Sequence, residues 1–121
     1  MRLFALRGAI SVDRNDAAEI HEATITLMGE IMRRNGLTPD DVVSCIFTAT
    51  DDLNADFPAA AARTLGFDSV PLLCAREMAV PDAMPRVIRV LIHYHAEEGH
   101  QVRHVYLREA SALRSDLQAA Q

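Results

Sequence analysis

Apolar and polar positions alternate at the start of the chain, then recur every three to four residues. Arg2–Val12 is short and apolar-rich, and the polar, turn-like Asp13–Asp16 follows it, which predicts a strand. Alternation places Leu3, Ala5, Arg7, Ala9 and Ser11 on one face and Phe4, Leu6, Ile10 and Val12 on the other. Arg7 thus interrupts a face of small and apolar residues. Asp16–Arg34 predicts a helix: Asn15 or Asp16 caps it, Glu19 and Glu22 lie in the early turns, and Ile20, Leu27 and Ile31 form one stripe. Arg33 and Arg34 close it and Gly36 follows, in keeping with the helix dipole and a C-terminal stop. Thr38–Asp41 reads as a turn and Val42–Thr50 as a second strand ended by Asp51 and Asp52. Asp56-Phe57-Pro58, a run of alanines and then Gly66 predict a short helix with Pro in its first turn. Val70–Met78 reads as a third strand, with Pro71 near its start where a missing donor is tolerated. A third helix is expected from about Asp82 or Pro85 to Glu98, with Met84, Val87, Ile88, Leu91 and Ile92 as its apolar face and Gly99 beyond. Val102–Arg108 reads as a fourth strand, and the tail to Gln121 is weakly helical. The order β-α-β-α-β-α-β predicts a single α/β (mixed α+β) domain.

Length and charge narrow this picture. A chain of 121 residues, 50% hydrophobic and 24% charged, is one globular domain with a modest core, of a size that symmetric oligomers often complete. The net charge of −5 disfavours broad binding to nucleic acid. All the basic residues are Arg, which removes Schiff-base lysines, pyridoxal phosphate attachment and the phosphate-loop lysine. With no Trp, two Tyr and four Phe, there is no set of aromatic platforms for stacking bases. The N-terminus carries Arg inside its apolar stretch, unlike a signal peptide, and no apolar run approaches the ~20 residues that span a bilayer. The expected compartment is the cytoplasm, without membrane attachment. Cys45 and Cys74 lie in apolar segments and read as buried thiols rather than a disulfide pair.

The candidate chemistry is sparse. His93-x-His95, His100 and His104 invite a metal reading, but on the expected third helix a spacing of two sets the first pair roughly 200° apart. No metal is expected. The glycines are scattered rather than gathered in a phosphate loop, and no G-x-S-x-G elbow occurs. What remains is arginine in costly places: Arg7 in mid-strand, Arg89 beside the apolar stripe of the expected third helix, and Arg63 after the alanines. Tyr106 falls on the strand face shared by His104 and Arg108. Singly, each reads as an ion-paired or snorkelling surface residue. Together they point to a pocket for a small dianion, because fork-shaped guanidinium groups suit carboxylates.

Five separated stretches carry a family resemblance: LRGAISV, TATDDLNADFPAAAAR, VPLLCAREM, VIRV and RHVYLREASALRSDL. In order and spacing they resemble the small AroH-class chorismate mutases along almost the whole chain. The resemblance implies a chorismate-mutase-like subunit in a homotrimeric pseudo-α/β barrel, with active sites in clefts between subunits. It implies the Claisen rearrangement of chorismate to prephenate in aromatic amino-acid synthesis, with no metal, cofactor or covalent intermediate. By matching motif, Arg7 would bind a substrate carboxylate with Tyr106 hydrogen-bonding nearby, and Arg89 would donate to the ether oxygen. Glu77 and Cys74 would contact the ring-hydroxyl end. Phe57, Ala59, Ala60 and Arg63 would come from the adjoining subunit, and Leu113 and Arg114 would belong to a mobile tail over about 109–121. Two features depart from the pattern. Ala60 stands where some members carry a basic residue, and strict alternation puts Cys74 and Glu77 on opposite faces unless the strand ends or bulges between them. A trimeric enamine/imine deaminase of the RidA type and a dicarboxylate-sensing module are the competing readings.

Overall fold

The structure, a computed structural model, describes residues 1–114. Its centre is a five-stranded sheet in the order β3-β2-β4-β1-β5. The strands are β1 (Arg2–Ser11), β2 (Val42–Ala49), β3 (Leu72–Arg76), β4 (Val87–Ala96) and β5 (Val105–Leu107). Central β4 runs antiparallel to β1 and β2, while β3 is parallel to β2 and β5 is parallel to β1. Against the sheet lie α1 (Ala17–Asn35) and the short α2 (Pro58–Ala62), which runs on into a π-turn over Arg63–Phe67. The mixed α+β class expected from the sequence is the one observed.

α1 forms where local signals agree. Asp16 accepts the Glu19 N–H at 3.1 Å as N-cap, and Gly36, at φ +62°, supplies the left-handed C-cap that most side chains disfavour. Its stripe Ile20, Leu27 and Ile31 packs on the sheet face made by Leu6, Ile10, Phe47, Ile88, Val90, Ile92 and Tyr94, all in one core. Gly8 lets α1 come close: a Cβ there would meet Ile31 Cδ1 at 2.7 Å and the Val105 carbonyl at 3.2 Å. Ala59 and Ala62 place α2 in the same core, so both helices lie on one face of the sheet.

The expected third helix is not formed; its centre is β4, the middle strand of the sheet. The run Val87–Ile92 satisfies a helical stripe and a strand alternation alike, and its Val and Ile residues, stiff at χ1, pack well on a pleated surface. Burial decides between the two. Ile88, Val90, Ile92 and Tyr94 are buried, while Arg89, Leu91 and His93 are only partly so and His95 is exposed, a period of two. His93 and His95 therefore share a face rather than lying 200° apart. Among the described residues, no three His, Cys, Asp or Glu side chains gather to form a metal site. The outer strands are shorter than the sequence predicts: β3 begins at Leu72 and β5 covers three residues. After β5 the chain turns through Arg108, at φ +57°, into a 3-10 turn over Arg108–Ser111. Ser11 holds that turn with two bonds, its Oγ accepting the Glu109 N–H at 3.0 Å and its carbonyl accepting Arg108 Nη1 at 3.4 Å. Residues 115–121 of the tail expected over 109–121 lie outside the described residues.

Candidate active site

The face of the sheet away from the helices carries the chemistry. Pairing fixes one line straight across all five strands: Ala75 opposite Thr48, Thr48 opposite Arg89, Arg89 opposite Ala9, and Ala9 opposite Tyr106. Arg89 stands at its middle, flanked by two small residues that leave room for a long side chain. The neighbouring line runs Leu73, Ile46, Leu91 and Arg7. The mid-strand Arg7 of the sequence thus comes beside Arg89, which no local pattern links to it. Together with Thr48, Glu77 and Tyr106 they line a recess of about 300 Å³.

Charge in the recess is uneven. Arg7 and Arg89 contribute two guanidinium groups against one carboxylate, Glu77. None of the ion pairs among the described residues involves Arg7. Arg89 Nε lies 3.3 Å from Glu77 Oε2, but its N–H is not aimed at that oxygen, and this buried donor finds no acceptor among the described residues. A buried donor without a partner costs on the order of 1–3 kcal/mol, so this position favours any ligand that presents an acceptor there. The recess can hold a small anion and place a fixed positive charge against one of its oxygens.

Glu77 reaches the recess because it continues the alternation of β3: Leu73, Ala75 and Glu77 fall on the face away from α1 and α2. Its N–H is held by the Ala49 carbonyl at 2.9 Å, which carries the β2–β3 pairing one residue past Arg76, and its carboxylate takes the Thr48 hydroxyl at 2.6 Å. β3 does end between Cys74 and Glu77, but the alternation persists to Glu77 and the two stay on opposite faces. Cys74 pairs with Phe47 on the helix side of the sheet and packs against the core. It lines a second recess of about 570 Å³ with Phe57, Pro58, Asp51 and Arg76. Phe57 is 70% exposed at the start of α2, and Arg63 is exposed after it. Ala59 is buried in the core and Ala60 is half-buried. A third recess, about 650 Å³, shares Glu77 and Arg89 with the loop Met78–Pro85.

The tail reaches the same face. Ala110, Ala9 and Val87 form a small apolar cluster against which Tyr106, Met84 and Leu113 pack, while Arg114 is exposed. Sequence reasoning misses Thr48 and sets His104 aside. Thr48 shares its strand's parity with Ile46, but only the cross-strand register puts it beside Arg89. His104 Nδ1 accepts the Arg7 backbone N–H at 3.0 Å, and its pKa is lowered by burial and then by Arg7 and Arg114. Cys45 is inert packing, its thiol pushed up to about 12 by burial.

Comparisons with known proteins give the family of the chain. The chain is 48% identical over 118 residues to the chorismate mutase AroH of Thermus thermophilus, covering 96% of this chain and 97% of that protein. It is 40% identical over 119 residues to the chorismate mutase AroH of Bacillus subtilis, covering 97% and 94%. A solved chorismate mutase from Clostridium thermocellum superposes with a TM-score of 0.86 at 43% identity, covering 90% of this chain and 98% of that one. The family model described as chorismate mutase type I matches residues 3–117, and the chain belongs to that family.

Proposed function

We propose that this protein rearranges chorismate to prephenate in the recess around Arg89, in a cleft completed by a neighbouring copy of the chain. The unpartnered, buried Arg89 Nε–H, set between Arg7, Glu77 and Tyr106, carries the reading. A Claisen rearrangement is pericyclic, so it asks for no general acid, base or nucleophile. It needs the enolpyruvyl arm held over the ring in a near-attack form and positive charge at the ether oxygen as the C–O bond breaks. Arg7, with Tyr106 beside it, holds a carboxylate; Arg89 faces the ether oxygen; Glu77 takes the ring hydroxyl. Guanidinium suits the central role because it stays charged in a dry pocket, where an ammonium can lose its proton.

The homotrimer rests on two observations. The sheet face away from α1 and α2 leaves Leu3 and Leu73 53% and 59% exposed in an isolated chain, an apolar surface of the kind a second copy covers. The recess also holds none of Phe57, Arg63 or Cys74: Phe57 and Cys74 line the neighbouring recess, and Arg63 follows α2. We infer that those residues face the Arg89 recess of the adjoining subunit, so Cys74 meets the substrate from across the interface. No helix among the described residues is long and apolar enough to cross a membrane. A cytoplasmic enzyme that works without cofactor and binds neither nucleic acid nor membrane fits this reading. Loss of chorismate absorbance, followed together with sedimentation, tests it: activity in a trimer is expected. A stable active monomer overturns the shared cleft, and a pure trimer inert towards chorismate overturns the activity.

A further inference from the structure

Thr48 is the one polar side chain in the Arg89 recess that the reading above leaves without a role, and its geometry is specific. Its hydroxyl lies 2.6 Å from Glu77 Oε2. An ionised carboxylate has no proton to give, so the hydroxyl donates. The same Oε2 is the atom 3.3 Å from Arg89 Nε. Alternation along β3 puts Glu77 on the face of Thr48 and Arg89, and among the described residues these are the two groups its carboxylate meets. An unrestrained carboxylate beside a guanidinium tends to form the two-bond fork that satisfies both groups. Here the fork is not formed, and Arg89 Nε keeps its unpartnered N–H.

We propose that Thr48 is a positioning residue: by donating to Oε2 it holds Glu77 back from pairing with Arg89 in a fork, which leaves the Arg89 guanidinium for the ether oxygen and Oε1 for the ring hydroxyl. This rests on the site reading above and deepens it. Thr48 touches no reacting atom and acts through Glu77. The pairing register makes it able to do so, since Thr48 is the direct cross-strand neighbour of Arg89. Val would fill the same space without the proton, and Ser would keep the proton without the methyl group.

The test compares variants that sediment as the wild-type oligomer, with Thr48→Ala standing in if Thr48→Val does not assemble. Thr48→Val should lower kcat by about tenfold or more, the worth of one hydrogen bond to a charged group, with KM changed less than about twofold. Thr48→Ser should recover most of the rate. In a Glu77→Ala background, where no carboxylate is left to hold, adding Thr48→Val should cost less than about twofold further. Wild-type kcat in Thr48→Val refutes the proposal, and so does an equal loss in both backgrounds, which would mark a merely structural residue. Arg89→Ala is run alongside. A loss of rate there with none in Thr48→Val refutes the positioning role alone, while wild-type rates in both refute the site reading with it.

Discussion

Arg89→Ala is the most demanding perturbation of this site, because the structure separates its cost to folding from its cost to catalysis. The side chain is 36% exposed, its one ionic contact is 3.3 Å long, and its Nε–H is unpartnered. Its flanking residues on the pairing line are Ala9 and Thr48, so truncation leaves an open groove rather than a sealed cavity. Little stability is at stake. The transition state is different: a preorganised donor aimed at developing negative charge is worth about 3 kcal/mol, on the order of a hundredfold in kcat. The substrate's carboxylates are equally charged before and during the rearrangement, whereas the ether oxygen gains charge only in the transition state. Arg89→Ala should therefore lower kcat by about a hundredfold or more with a modest change in KM, and Arg7→Ala should chiefly raise KM. Arg89→Lys should recover part of the loss, since an ammonium restores charge but not the planar fork. Steady-state loss of chorismate absorbance, on protein confirmed to be folded and assembled, measures all three. Wild-type kcat in a correctly assembled Arg89→Ala protein would refute the reasoning.

Three further outcomes follow from the scaffold. Gly8→Ala forces a Cβ against Ile31 and the Val105 carbonyl, and should cost about 1–3 kcal/mol of stability in denaturant unfolding, more than a surface Gly29→Ala, which meets nothing. Asp16→Ala removes the bond to the Glu19 N–H and should cost about 1 kcal/mol in the same assay. His104 prefers its neutral form in the folded protein, so the unfolded chain binds the proton more readily; stability should be intact above the ordinary histidine range and fall as the pH drops through it towards the lowered folded value. A His104→Asn variant should lose that part of the acid slope, and an unchanged slope in unfolding measured against pH would count against it.

The parts of this molecule legible in its sequence are those whose causes are local. α1 carries its cap, its stripe and its stop within twenty or so residues, so Asp16 and Gly36 mark its two ends by residue type and position alone. The alternation that sets Arg7 apart from Leu6 and Ile10 is likewise a property of one strand. β4 reads as a helix because Val87, Ile88, Leu91 and Ile92 suit two periods at once, and the choice between them is made by β1 and β2 on either side. The site is half legible. Arg7, Arg89, Glu77 and Tyr106 stand in the family's motifs and do come together, but the line joining Thr48 to Arg89 is a matter of register between distant strands. Cys74 and Glu77 are near in sequence and invite grouping, yet the sheet separates them by face.

The place of β4 also has a consequence for how the chain is made. β1 and β2 emerge first from the ribosome, but each forms its ladder with β4, and β4 lies between them. A nascent chain that ends before Val87 can pair β2 with β3 but has nothing to join β1 to them, and its α1 has only part of the sheet to cover. Arg2 waits for Ala96. Completion of the sheet therefore waits for β4 and is dominated by contacts between distant parts of the chain, the regime in which small domains fold slowly. Until then the core that Leu6, Ile10 and Phe47 share lacks Ile88, Val90, Ile92 and Tyr94, so the interval before β4 arrives is when this domain is most open to aggregation.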